Sequence, residues 1–148
     1  MNLLNVATIL CIGLLIGAEL AVSLFVNPVL KQLDFRAQAE PIRLFARRLG
    51  TAMPGWYIAS LLLLSTQTII HRHEPVVVLL GVATGLWAVA IALSLLFLVP
   101  INNRMIQIDA DRFTESAQRE HRKWDSLHRL RVFVLGSAMI VFLAGIGI

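Results

Sequence analysis

Trp124, His128 and Arg131 are spaced i, i+4 and i+7, so a continuous helix carries an aromatic ring, an imidazole and a guanidinium on one face. Such a stripe could help close a polar pocket at one end of a four-helix bundle, with His128 as a base or a hydrogen bonder to substrate. The block Val99-Pro100-Ile101-Asn102-Asn103-Arg104 ends a very apolar run and adds two amides, while Asn27 ends another. Glu19 precedes Asn27 by eight residues, hence lies about 12 Å deeper at about 1.5 Å per residue. An ionised carboxylate at that depth must be protonated, paired or open to water, and it is a functional candidate by default. Arg131 and His128 are its expected partners; the plain alternative is a Glu19–Arg131 pair that only fixes helix register. We read Trp124, Asn103, Asn27 and Glu19 as substrate-binding and His128, Arg131 and Asn102 as the reacting set. Asn102 and Asn103 could equally be helix caps.

His128 is expected to act as a base or as a hydrogen bonder to substrate. As a metal ligand it would have Glu19 as its one companion, fewer than the three protein ligands usual for catalytic zinc. His121, one heptad earlier on nearly the same face, leaves a haem or metal held through His128 as an alternative. No cofactor is expected, and no metal site is assigned. His71 and His73, at i and i+2 in a short polar turn, cannot face one point on a helix.

These residues sit in a chain that belongs in a membrane. Of its 148 residues, 57% are hydrophobic, above the roughly 45–50% of soluble domains, and mean hydropathy is +0.76. Four apolar runs predict one four-span domain over 1–148, with spans at about 3–26, 51–70, 76–99 and 132–148. The fold class is all-α: an integral membrane four-helix bundle with amphipathic cytoplasmic connections. The one cysteine, Cys11, excludes an intramolecular disulfide. The first run lacks a basic flank and a good cleavage site, so a retained helix is expected.

The net charge of +4 reflects basic residues beside the apolar runs, which predicts anionic lipid and the bilayer as partners, and no nucleic acid. Lys31, Arg36, Arg43, Arg47 and Arg48 follow the first run; Arg72 alone follows the second; Arg104, Arg112, Arg119, Arg122, Lys123, Arg129 and Arg131 follow the third. This bias places the first and third connections in the cytoplasm and both termini outside a cell membrane.

Prolines suggest the breaks. Asn27-Pro28 is expected to end the first span with Asn27 capping a new helix, and Pro41 to divide 29–49 into two interfacial pieces. Pro54 fits a first turn of the second span, beside an interfacial Trp56-Tyr57 pair, and Pro100 ends the third. Trp87, midway along the third span, is a packing residue or a cavity wall, and Gly81, Ala83, Gly85, Ala88, Ala90 and Ala92 would let a neighbour approach. Met105 to Leu130, with Phe113, Ala117 and Trp124, reads as an amphipathic helix leading into the fourth span, where Arg129 and Arg131 reach back to the surface.

Asn27-Pro28-Val29-Leu30, Arg47-Arg48 before Met53-Pro54, the Val99–Arg104 block, and Trp124, His128 and Arg131 in their spacing together resemble the anthrone oxygenase-like family of small membrane proteins. The resemblance covers nearly the whole chain. It implies oxygen-dependent conversion of an activated methylene in a polycyclic phenol to a ketone, on a small hydrophobic aromatic substrate drawn from the bilayer. Under it His128 takes the proton, Arg131 and Asn102 hold the enolate oxygen, and Trp124 stacks on the rings. Other classes remain open: a non-catalytic carrier or partner-stabilising subunit, and a haem or metal protein. Self-association into a homo-oligomer is also open.

Overall fold

The computed structural model describes residues 2–107 and 115–147. Phe113 lies outside them. Helix α1 (Leu3–Ala21) runs through a π-helical turn at Val22–Val26 into α2 (Asn27–Leu30); α3 spans Phe35–Ile70; α4 (Val77–Leu93) runs through a second π-helical turn at Ser94–Leu98 into α5 (Val99–Ile106); α6 spans Glu115–Gly145. No strand occurs among the described residues. The four resulting rods are each long and apolar enough to cross a membrane.

The prolines do not break the rods. In hydrocarbon a broken helix leaves several backbone groups without partners, whereas a wide turn costs little and makes room for the proline ring. Asn27 N–H therefore bonds the Val22 carbonyl, and Val99 N–H the Ser94 carbonyl, both i→i−5, immediately before Pro28 and Pro100. Asn27 is helical and caps nothing. Pro41 and Pro54 lie inside α3, which is one helix rather than a divided surface piece followed by a span. The helix that carries the fourth apolar run likewise begins far earlier than residue 132, α6 being continuous from Glu115.

The core is filled by Ile12, Leu15, Leu64, Leu80, Trp87, Leu135 and Phe142. The broadest helix contact joins α4 to α6. Ala83, Ala90 and Ala138 are fully enclosed, while Gly85, Ala88 and Ala92 are exposed, so only part of the small-residue stripe serves close packing. Trp87 is packing, with its indole N–H donating to the Tyr57 carbonyl (3.2 Å). Trp56 donates to the Cys11 carbonyl (3.0 Å), and Tyr57 is buried, so this pair lies inside the bundle and not in an interfacial belt. Leu10, Leu14, Leu62, Val78, Phe133 and Ile140 face outward, as lipid-facing positions do.

At the turn between α3 and α4 the two histidines are occupied separately: His71 pairs with Glu74 (3.0 Å) and His73 accepts from Arg72 (3.0 Å). The opposite end, away from both termini, carries the charged connections. A small second core of Leu30, Ile42, Ile101 and Met105 closes it against Trp124 and Leu127.

Candidate functional site in the membrane

Four polar side chains from four rods meet at one depth. Glu19, Tyr57, Ser94 and Arg131 each lie about 20–25 Å along their rods from the end that holds the termini, counted at about 1.5 Å per residue. Glu19 lies three residues before the first π turn and Ser94 opens the second. A wide turn rotates the residues around it relative to a regular helix, which is why such turns recur at functional sites.

Arg131 is the hub. Its Nη2 donates to Glu19 Oε2 at 2.6 Å, and its Nη1 donates to Ser94 Oγ at 3.0 Å. The Ser94 hydroxyl in turn donates to the Ala90 carbonyl (2.8 Å). The Tyr57 hydroxyl donates to Glu19 Oε1 at 2.9 Å, and the guanidinium carbon stands 5.4 Å from the Tyr57 ring centroid, a cation–π distance. Glu19 is 2% exposed and Arg131 8%, so the pair is a buried one and Arg131 does not reach back to the surface as expected from the sequence. Arg131 Nε is buried and has no hydrogen-bond partner among the described residues.

His128, 1% exposed, completes the cluster. Its Nε2 lies 3.1 Å from the Glu19 backbone oxygen. That oxygen only accepts, which assigns the proton of the neutral ring to Nε2 and leaves Nδ1 with a lone pair. Nδ1 sits 3.0 Å from Arg131 Nη2 and 3.1 Å from Glu19 Oε2. A proton arriving on Nδ1 is thereby placed against a carboxylate, so Glu19 holds both nitrogens of the ring once it is charged.

Trp124 stacks on His128 with centroids 4.7 Å apart and planes 11° apart. Together these groups wall one end of a cavity of about 180 Å3. Its other walls are apolar, with Val22, Met53, Pro54, Ile58, Ile91, Leu95, Leu98 and Val99 among them. Ile58, Leu95 and Val99 are exposed on the outer surface, so the cavity borders the outside of the bundle between α3 and α4–α5.

Asn102 lines the cavity and donates through Nδ2 to the Ala46 carbonyl at 3.0 Å. This contact depends on Gly50, where an added Cβ would stand 3.0 Å from Asn102 Nδ2. Gly50→Ala gains about 0.5–1 kcal/mol of helix preference and loses one hydrogen bond of about 0.5–1.5 kcal/mol. The expected result is a melting temperature close to that of the parent with Asn102 displaced, read as weakened ligand binding in the same preparation.

The remaining sequence candidates fall elsewhere. Asn27 Nδ2 donates to Asp125 Oδ1 (2.7 Å), and Asp125 Oδ2 takes Lys31 Nζ (2.5 Å) and Arg129 Nη2 (2.6 Å). This cluster ties α2 to α6 at the polar end, outside the main cavity. Asn103 is exposed and lines neither cavity described. Tyr57, Ser94 and Asp125 escaped the sequence reading. Asp125 had one available signal, its i,i+4 spacing to Arg129; Ser94 had none inside an aliphatic run.

No group of three or more His, Cys, Asp or Glu able to hold a metal occurs among the described residues. Both ring nitrogens of His128 are already engaged by protein atoms.

Four rods long and apolar enough to cross a membrane, packed around a buried polar cluster and a cavity, define a multi-pass membrane protein. More particularly, residues 42–141 match the profile of the anthrone oxygenase family, and the chain belongs to that family. No curated protein and no solved structure gives a significant match to it.

Proposed function

We propose that the protein is a membrane oxidoreductase that uses dioxygen to convert the activated methylene of a small hydrophobic phenolic ring system to a ketone. The observation that carries this reading is the buried Nε–H of Arg131, a charged donor without a partner among the described residues, at the wall of an apolar cavity. Such a donor is suited to an enolate or phenolate oxygen, the charge that appears when a methylene beside a ring carbonyl is deprotonated.

In this reading the substrate slides in from lipid between Ile58 and Leu95, and Trp124 stacks on its rings. Its oxygen docks on Arg131 and draws the guanidinium off His128 Nδ1, which then takes the methylene proton under the influence of Glu19. Asn102 and the Tyr57 hydroxyl lie close enough to the cavity to turn toward a second substrate oxygen. The resulting carbanion is electron-rich enough to reduce dioxygen. A carbon–oxygen bond forms, giving a hydroperoxide once a proton returns, and loss of water leaves the ketone. Each methylene thus reacts with one molecule of dioxygen to give one ketone and one water, with carbon oxidised and oxygen reduced.

We place the charged end of the bundle in the cytoplasm, both termini outside and the protein in the cell membrane, from the strongly uneven Lys and Arg distribution.

The test is oxygen uptake by purified protein in lipid vesicles supplied with a tricyclic phenolic methylene substrate. The expected result is consumption of one O2 per ketone formed, above the rate of the same substrate in protein-free vesicles. Leu95→Trp, which narrows the lipid-side opening, should raise KM several-fold and leave kcat near that of the parent. Tight substrate binding without any uptake above background would overturn the oxidase reading and favour a carrier.

A further inference from the structure

Val22, Leu49, Asn102 and Trp124 wall not only the main cavity but also a second one of about 20 Å3. His121 lines this annexe, 4% exposed, with its ring parallel to Trp124 at 6.2 Å between centroids and 7° between planes. Neither of its ring nitrogens has a hydrogen-bond partner among the described residues. A buried imidazole carries at least one N–H, and leaving a buried donor unbonded costs about 1–3 kcal/mol. Groups of this kind in folded proteins bond to ordered water or serve a function.

The annexe meets the requirements for water. One molecule needs about 10–15 Å3 and two to four polar partners; the volume exceeds that, and Asn27, Asn102 and His121 are polar side chains on its wall. The rest of its lining is apolar, and Leu30, Ile42 and Met105 in it belong to the small core at the polar end. The annexe thus shares walls with the main cavity and, through Asn27, whose Nδ2 donates to Asp125 Oδ1, adjoins the charged cluster of Asp125, Lys31 and Arg129.

We propose that the annexe is a water-binding site in which His121 holds the water released in each turnover, on its way from the lipid-walled cavity to the charged end of the bundle. The exit role rests on the oxidase reading, in which loss of water from a hydroperoxide leaves one molecule of water beside an apolar product. Hydration of the annexe does not rest on it. His121 is a positioning residue here, since it touches the leaving water and not the reacting carbon.

Hydroxyl-radical footprinting by X-ray radiolysis of the full-length protein in vesicles tests the site, because radicals made from bound water oxidise the side chains around it. Met105 is 4% exposed and lines the annexe. It should be oxidised readily, after correction for intrinsic reactivity, whereas Phe142 in the dry core should not. In His121→Phe, which fills the annexe with an apolar ring, Met105 oxidation should fall to the Phe142 level; His121→Leu serves the same purpose if the larger ring prevents a monodisperse preparation. Protection of Met105 in the parent protein would overturn the site. With the phenolic substrate, His121→Phe should lower kcat several-fold at constant KM. Unchanged kcat in a variant whose footprint is lost would overturn the exit role while leaving the hydrated site and the oxidase reading standing. Absence of turnover in the parent would instead remove the oxidase reading and, with it, the exit role.

Discussion

Arg131→Met should destabilise the protein by about 3–5 kcal/mol, the usual consequence of stripping one partner from a buried ion pair. Glu19 would keep the Tyr57 hydroxyl at 2.9 Å and the neighbouring His128 ring, but lose the only full positive charge within hydrogen-bond distance of its carboxylate among the described residues. Adding Glu19→Gln to that variant should recover most of the loss, because a neutral amide no longer needs the guanidinium and can still accept from Tyr57. Thermal unfolding of the purified variants in detergent measures both. Arg131→Lys separates structure from function: an ammonium can still pair with Glu19, but it has no Nε–H and no fork to offer a second oxygen. Its melting temperature should stay nearer the parent than that of Arg131→Met, while oxygen uptake falls as far as in the Met variant. A purely structural pair would show uptake following stability through all three proteins.

The largest effect on rate is expected at His128. His128→Gln should lower kcat by about 10²–10⁴-fold, the usual contribution of a positioned base, with KM within a few-fold of the parent. Glutamine keeps a donor able to reach the Glu19 backbone oxygen, which His128 Nε2 approaches to 3.1 Å, but it has no nitrogen that can take up a proton. The assay is oxygen uptake in vesicles, with the elution profile of the detergent-solubilised protein as the control for assembly. Loss of folded yield with no change in specific activity would mean that His128 serves packing beneath Trp124, where it stacks at 4.7 Å. Double substitution sharpens the point. If His128 takes the proton under the influence of Glu19, His128→Gln combined with Glu19→Gln should cost little more in kcat than His128→Gln alone, since the two residues then act as one unit.

Both predictions concern a buried cluster whose members were only partly legible in the sequence. Trp124, His128 and Arg131 announced themselves because a helix repeats every 3.6 residues and polar side chains with that spacing share a face whatever surrounds them. Glu19 announced itself because a charge inside an apolar run is costly unless something compensates for it. Asn102 was found from its neighbourhood to a proline. Asn103, its immediate neighbour, has the same residue type but faces outward, a difference of one helical step that the residue type alone does not show.

What the sequence determined by itself was the class: hydrophobic runs long enough for the bilayer force helices, and four of them in one chain force a bundle. It also supplied the family resemblance. Tertiary structure decided where the rods end and what they enclose. Pro28, Pro41 and Pro100 look like breaks, and Pro54 like a helix start, because proline removes a backbone donor. Inside a packed, lipid-surrounded bundle a break costs more than a bent or widened helix, and the chain absorbs all four. That choice set the π turns at Val22–Val26 and Ser94–Leu98. Packing of the rods set Ser94 on Arg131 and the Tyr57 hydroxyl on Glu19, contacts between residues 37 and 38 positions apart that no local spacing encodes.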